Sequence, residues 1–354
     1  MTYAHVLINY YSGTGNSYRV ACWLDQTARD SSAATTLNDI SHPPCNSAED
    51  DSDGKTLTAF FFPTHGFTAP WPVIRFALRL PRQSGRHALV CATRGGSFLG
   101  SKLIPGMEGT AAWLVTCILR LKGYRIRGVK GINMPTNWTA IHSGYDEQTS
   151  RQIIARSQST ALDFFQGVLG GQRRLQGWLP LALGLLLLPL SLGYLLLGRF
   201  FLSKLLYASH HCIGCGLCAK HCPSQAIRMT GKAQDRPFWT FSCHSCMRCM
   251  NLCPVQAIEA NYVLIALLVW LGTLPYGALL LGWLGKLVGM TTLASSMTAR
   301  LVVQIAGLLW ITWALYALFH LLLGIPWFNR LITTLSLTHY YKRYKEPDTN
   351  LNNL

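Results

Sequence analysis

Eight of the twelve cysteines fall in two runs of identical spacing. Cys212, Cys215, Cys218 and Cys222 lead into Pro223; Cys243, Cys246, Cys249 and Cys253 lead into Pro254. After each proline comes a matching Gln-Ala-Ile, so the segment is an internal duplication. Thiolates at C-x2-C-x2-C-x3-C-P spacing suit iron–sulfur clusters. Three cysteines two residues apart wrap one corner of a cubane, and the fourth starts a helix that points away. The spacing therefore predicts one [4Fe–4S] cluster on Cys212, Cys215, Cys218 and Cys253, and a second on Cys243, Cys246, Cys249 and Cys222. Zinc is the alternative, but zinc pairs are usually two well-separated CxxC units. His211, His221, His244 and Arg248 read as solvated flanks or hydrogen-bond donors rather than ligands.

A second chemistry sits near the N-terminus. Ser12-Gly13-Thr14-Gly15-Asn16-Ser17 follows an apolar run and opens a helical pattern. Backbone N–H groups at a helix start, with hydroxyl and amide side chains, cradle a phosphate. The loop has neither the GxGxxG of dinucleotide sites nor the lysine of triphosphate sites. A loop without positive charge suits a single monoester phosphate, as in FMN.

Elements must hold these groups. Val6–Asn9, Leu57–Phe62, His87–Ala92 and Arg125–Asn133 read as buried strands; Ser17–Arg29, Ala111–Lys122 and Asp146–Gly167 read as helices. Alternation of this kind implies a mostly parallel sheet, helices on both faces, over residues 1–168. In such sheets ligands bind beyond the strand C-terminal ends. Two further loops lie there, Pro63-Thr64-His65-Gly66-Phe67 and Thr93-Arg94-Gly95-Gly96-Ser97-Phe98. Residues 41–54 read as an acidic surface loop. Cys22, Cys91 and Cys117 read as small buried hydrophobes; Cys45 is the remaining isolated cysteine.

Composition changes after residue 174. Half of the chain is hydrophobic and only 13% is charged, against roughly 25% for an average soluble protein. Residues 175–198, 261–285 and 301–319 carry no charge. A bilayer core needs about 20 apolar residues as a helix. The last two runs read as a transmembrane hairpin over 261–324; a buried core helix is the alternative for each. Residues 175–207 either cross or dip and return, breaking near Pro189. Four Lys/Arg fall in 151–174, seven in 199–260 and four in 325–354, but only two in 286–300. Basic residues mark the cytoplasmic side, so this pattern favours the dipping arrangement, with everything but one loop on one face. The opening stretch lacks the features of a secretory signal, so the thiols are expected in a reducing compartment. Residues 325–354 read as a basic amphipathic tail, either a surface-lying anchor or a loose end. His320 and Gln304, inside the last apolar run, are candidates for a quinone or proton path. The +16 net charge is assigned to an anionic membrane face, not to nucleic acid, for which no binding motif is present.

The phosphate loop, the two strand-end loops and the Met134-Pro-Thr-Asn-Trp138 turn, followed by the cysteine duplication, resemble the family of flavodoxin–ferredoxin fusion proteins. The resemblance spans about 1–170 and 207–260. It implies an α/β flavodoxin-like doubly wound parallel sheet and an α+β two-cluster ferredoxin domain at 208–260, here with transmembrane helices added. It implies FMN phosphate on Ser12, Gly13, Thr14, Gly15, Asn16 and Ser17. The flavin ring would lie between Pro63, Thr64, His65, Gly66, Phe67 and Thr93, Gly95, Gly96, Ser97, with Phe67 or Trp71 as a stacking residue. The basic character of residues 1–174 departs from typical acidic flavodoxins. The resulting expectation is a membrane-bound electron carrier containing FMN and two [4Fe–4S] clusters. It would sit in a bacterial inner membrane with its redox domains toward the cytoplasm, and its partners would be membrane lipid and a ferredoxin-like donor or acceptor, or a quinone. The rivals are a flavin-dependent oxidoreductase coupled to the quinone pool, and a scaffold that has kept the fold without FMN.

Overall fold

The sheet grows outward from its most apolar strand. β1 (His5–Tyr10) leads into α1 (Asn16–Asp30), β2 (Ala34–Asp39) and then β3 (Thr56–Pro63), in which every residue but the last is buried. α2 (Trp71–Arg79) and β4 (His87–Gly95) follow. A small hairpin, β5 (Ser97–Leu99) with β6 (Lys102–Ile104), precedes α3 (Ala111–Leu121), β7 (Arg125–Met134) and α4 (Glu147–Leu169). A two-residue strand, β8 (Arg174–Leu175), pairs with β7. All pairings in the main sheet are parallel, in the order β2-β1-β3-β4-β7-β8. The five long strands thus run 2-1-3-4-5, the flavodoxin-like doubly wound order. The structure is a computed structural model describing residues 3–42, 55–231, 235–288, 296–347 and 349. Cys45, most of the acidic 41–54 loop and residues 289–295 lie outside the described residues.

Side-chain alternation along β3 divides the core. Leu57, Ala59 and Phe61 join α1 and α4 on one face. Phe60 and Phe62 join α2 and α3 on the other. Sequence reading missed β2 and α2: β2 is half exposed and polar, and α2 is short. Cys91 is buried as expected, Cys22 is half-buried, but Cys117 is exposed, on the outer face of α3.

Residues 178–205 do not form one straight rod. A helix at Trp178–Leu186 ends at Leu187 and restarts at Leu188–Gly193, just ahead of the expected break at Pro189. A proline disfavours helical backbone in the residue before it. The restarted helix loosens into a π-turn at Tyr194–Gly198 and a 3₁₀ turn at Leu202–Leu205. The run 261–285 is also broken, into Tyr262–Thr273 and Tyr276–Val288, because Pro275 cannot continue a helix. Gln304, from the long helix Met297–Leu322, repairs the break. Its Oε1 accepts from Gly277 N at 2.8 Å and its Nε2 donates to Leu274 O at 2.7 Å. Gln304 is thus a structural plug. His320 likewise reaches out of the apolar run, to Pro237 O at 3.1 Å. By length and composition two described helices could cross a membrane, Leu188–Leu205 and Met297–Leu322; only 22% and 11% of their residues are buried.

The cysteine-rich segment carries two antiparallel pairs. β9 (Leu206–Ala208) pairs with a later strand, β12 (Ile258–Ala260), and between them β10 (Ile227–Thr230) pairs with β11 (Arg236–Trp239). Its duplication extends to backbone angles. Gly214 and Gly216 have φ of 69° and 70°; the equivalent Ser245 and Met247 have 52° and 59°; Gln225 and Gln256 have 47° and 49°. Left-handed conformation is a glycine preference, and the second repeat adopts it without glycine.

Candidate cofactor sites and the contact between them

The Ser12–Ser17 loop links β1 to α1, with Gly15 at φ 106° forming the turn. Ser12 Oγ accepts from Gly15 N at 3.1 Å. Three ties fix the loop to its neighbours. Asn16 Nδ2 donates to Pro135 O at 2.8 Å, Ser17 and Thr93 hydroxyls meet at 2.8 Å, and Asn137 Nδ2 donates to Thr14 Oγ1 at 2.8 Å. Beyond the C-terminal ends of β1, β3, β4 and β7 lies a cavity of about 550 Å³, within the range of small-molecule sites.

Of the fifteen residues expected in the three loops, ten line that cavity and five do not. Ser12, Gly13, Asn16, Ser17, Pro63, Thr64, Gly66, Phe67, Thr93 and Gly95 line it. Thr14 is fully buried behind the loop. Gly15 is covered by Glu346 and Thr349. Gly96 packs under Asn133 and Leu103, and Ser97 begins β5. His65 faces a neighbouring, smaller cavity. Phe67 lines the site at φ 60°, a strained value for an aromatic residue. Trp71 does not line it; its ring instead stacks under Arg199 at 4.5 Å.

Sequence reading missed three parts of the wall. Thr136, Asn137 and Trp138 come from the turn after β7, and Pro189, Leu190, Gly193, Tyr194 and Leu202 come from the apolar segment. The third is Arg94, whose Nη1 lies 2.9 Å from Glu108 Oε2 and whose Nε donates to Asn133 Oδ1 at 2.9 Å. Burial raises the Glu108 carboxyl and lowers the Arg94 guanidinium, and their mutual attraction opposes both shifts. The fit to FMN rests on this cavity. It has a helix-start loop at one end, an aromatic at the other, and the buried Thr64 hydroxyl, which has no partner within the protein.

The cysteines gather in two sets. Cys212, Cys215, Cys218 and Cys253 line one small cavity, which Cys249 also borders. Cys222, Cys243, Cys246 and Cys249 are mutual electrostatic neighbours. Burial pushes the Cys218 and Cys243 thiols up to about 12, and adjacent thiols add to the shift. A cationic metal core relieves that crowding, because a coordinating thiol is deprotonated outright. Backbone N–H groups of Ala226, Ser245 and Ala257 donate to the sulfurs of Cys222, Cys243 and Cys253 at 3.3, 3.4 and 3.3 Å. Such bonds tune cluster potentials. Among the described residues no three His, Cys, Asp or Glu converge as single-ion ligands; the thiols surround a space instead.

The two sites touch. The Cys246 backbone packs directly on Gly13, leaving no room for a Cβ there. Arg248, 4% exposed, donates to Gly13 O at 2.9 Å, Ser12 O at 2.6 Å and His221 O at 3.1 Å. Of the two roles expected of it, Arg248 takes that of hydrogen-bond donor, as a buried fork. Asn251 Nδ2 donates to Asn137 O at 3.0 Å. Cys246 and Met247 share the smaller cavity with Thr64, His65, Gly66 and Trp138. Burial, and secondarily His244, lower His65 to about 4, so it is neutral at pH 7.

The tail also departs from expectation. After a helix at Pro326–Thr334 it runs back over the phosphate loop. Tyr344 OH donates to Asn16 Oδ1 at 2.8 Å, Glu346 N donates to Thr14 O at 2.9 Å, and the Glu346 carboxylate pairs with Arg19.

A 4Fe-4S dicluster domain family matches residues 211–257. A search of curated proteins found no match. Among solved structures, a flavodoxin from Streptococcus pneumoniae is 14% identical, with a TM-score of 0.30, over 46% of this chain and 99% of its own. An archaeal flavodoxin is 12% identical, with a TM-score of 0.28, over 46% and 98%. Rubredoxin oxygen:oxidoreductase from Desulfovibrio gigas is 12% identical, with a TM-score of 0.27, over 47% and 36%. The strand order gives a flavodoxin-like body, and it is joined to a segment that matches a 4Fe–4S dicluster domain family.

Proposed function

We propose that the protein is a membrane-bound electron carrier holding one FMN and two [4Fe–4S] clusters, and that it relays electrons between a redox partner and these centres. The observation that carries the reading is the contact of Cys246 with Gly13, at the edge of the cavity proposed for FMN. Bound FMN would exchange one or two electrons and each cluster one, which joins two-electron to one-electron chemistry. The chain's own task is to hold the centres close and dry. Ser12–Ser17 would bind the phosphate, Phe67 and Trp138 would wall the ring, and Arg248 would lock cluster loop to phosphate loop. Cys212, Cys215, Cys218 and Cys253 would hold one cluster, and Cys222, Cys243, Cys246 and Cys249 the other.

The exposed apolar faces of Leu188–Leu205 and Met297–Leu322 support a membrane anchor. Direct contact between flavin body and cluster segment supports one shared face, and the basic flanks support the cytoplasmic one. The test is rapid mixing of purified protein with a one-electron donor, following flavin and cluster absorbance separately. Reduction of one centre followed by re-equilibration with the other supports the reading; independent titration of the two overturns it. Cys215→Ala is expected to remove roughly half the iron if two four-iron sites are present.

A second reading, quinone turnover at the flavin, is favoured by one observation. Leu190, Gly193 and Leu202 of the apolar segment form part of the flavin cavity wall. Faster oxidation by a short-chain quinone than by a ferredoxin would favour it.

A further inference from the structure

A second large cavity, about 1040 Å³, lies apart from the one proposed for FMN. It lies between α2, the Ile40–His42 stretch after β2, the Arg199–Phe200 turn and the cluster segment. Three arginines line it, Arg75, Arg79 and Arg199, with no carboxylate among its described lining residues. Arg75 and Arg79 are exposed and one helical turn apart, so both charges face the same way. Arg199 is half-buried and held flat between the rings of Trp71, at 4.5 Å, and Phe200, at 4.4 Å. Arginine framed by aromatics is the composition of an interface centre.

The floor of the cleft decides what a partner would reach. Pro223 and Ser224 directly follow Cys222, while Ser242 and His244 flank Cys243. Both cysteines belong to the set proposed for one cluster. A molecule seated here is one residue away from two of the cysteines proposed for that cluster, and Tyr11, which precedes the Ser12–Ser17 loop, also lines the cleft.

We propose that this cleft is the docking site for a small acidic electron-carrier protein, which exchanges one electron at a time with the Cys222/Cys243/Cys246/Cys249 cluster. The proposal deepens the electron-carrier reading and rests on it. Two arginines on an exposed rim suit long-range attraction of a large, negatively charged partner surface, and such steering raises association rates by about 10- to 1000-fold. A protein partner also matches a cleft built from several separate parts of the chain.

The test uses the full-length holoprotein in detergent and two donors, a reduced acidic two-cluster ferredoxin and photoreduced 5-deazariboflavin, a small neutral donor. Arg75→Glu/Arg79→Glu changes only exposed side chains, and its flavin and iron contents are measured first. The expected result is a fall of about tenfold or more in the second-order rate with ferredoxin at low salt, with a flattened or inverted salt dependence. The rate with deazariboflavin stays at the wild-type value. An unchanged ferredoxin rate in the variant overturns the docking site, as does a wild-type protein that takes electrons from deazariboflavin but not from ferredoxin. Reduction of the wild type by NADH that is lost in the variant would instead give the cleft to a nucleotide, and also overturns it. A wild-type protein in which neither donor reduces flavin or clusters sinks the carrier reading itself.

Discussion

Gly13 and Cys246 meet backbone to backbone: the Ser12–Ser17 loop has no side chain where the Cys243–Cys249 loop lands on it. Gly13→Ala would force the Cys246 carbonyl away. Overpacking of this kind costs about 1–3 kcal/mol. The expected outcome is a protein that keeps its iron but shows slower flavin–cluster equilibration in stopped-flow, whereas an unaltered rate would show that the contact is not on the electron path.

Arg248 satisfies three carbonyls at once. Arg248→Met leaves them without this donor, and each buried orphan costs about 1–3 kcal/mol. Lysine lacks the planar fork, so Arg248→Lys is expected to rescue little. Chemical denaturation followed by flavin release would read both variants, and wild-type stability of Arg248→Met would contradict the buried-fork assignment.

Tyr344 and Glu346 hold the phosphate loop from outside. Tyr344→Phe removes one bond, worth about 1 kcal/mol, so FMN is expected to dissociate about fivefold more readily. Truncation after Lys342 should weaken binding further. Fluorescence of released flavin measures both, and iron content is expected to stay constant.

His65 is neutral in the folded state, with its pKa lowered to about 4 by burial. In the unfolded chain it titrates near 6.5. The folded protein therefore resists a proton that the unfolded chain accepts. Its contribution to stability is complete above pH 6.5, is lost as pH falls from 6.5 toward 4, and changes no further below that. Unfolding midpoints between pH 7.5 and 4.5 are expected to fall more steeply in wild type than in His65→Gln. Parallel curves would refute the assignment.

Gln304 replaces the hydrogen bonds that Pro275 breaks. Gln304→Leu should cost about 1 kcal/mol, the scale of polar contacts between apolar helices. In a Pro275→Ala background the same change should cost less, and a double-mutant cycle measures the coupling. Additive effects would show that the two residues act independently.

What was legible in the sequence was local. Cysteine spacing and the Ser12–Ser17 loop each lie in one short stretch, so their chemistry could be read without the fold. Most of the strand and helix alternation over 5–169, β2 and α2 aside, was legible for the same reason, because buried strands such as Thr56–Pro63 are short runs dominated by apolar residues. Long-range features were not legible. Nothing in Pro189–Leu202 marks it as the wall of a cavity, and an uncharged run reads the same facing lipid or cofactor. The break in 261–285 was hidden because an apolar run was judged by length, while one proline decided its geometry. The left-handed Ser245 and Met247 carry no glycine to announce them; only their register with Gly214 and Gly216 does. Arg94 could not be placed, since its partner Glu108 comes from a loop with no motif.

The Arg19–Glu346 pair spans 327 residues of chain. Translation at about 5–20 residues per second puts roughly 16–65 s between the emergence of its two members. For that interval the nascent Ser12–Ser17 loop stands without its outer strap, while the apolar helices between are being synthesised. The strap over the Ser12–Ser17 loop can therefore close only after everything between its two members has been made.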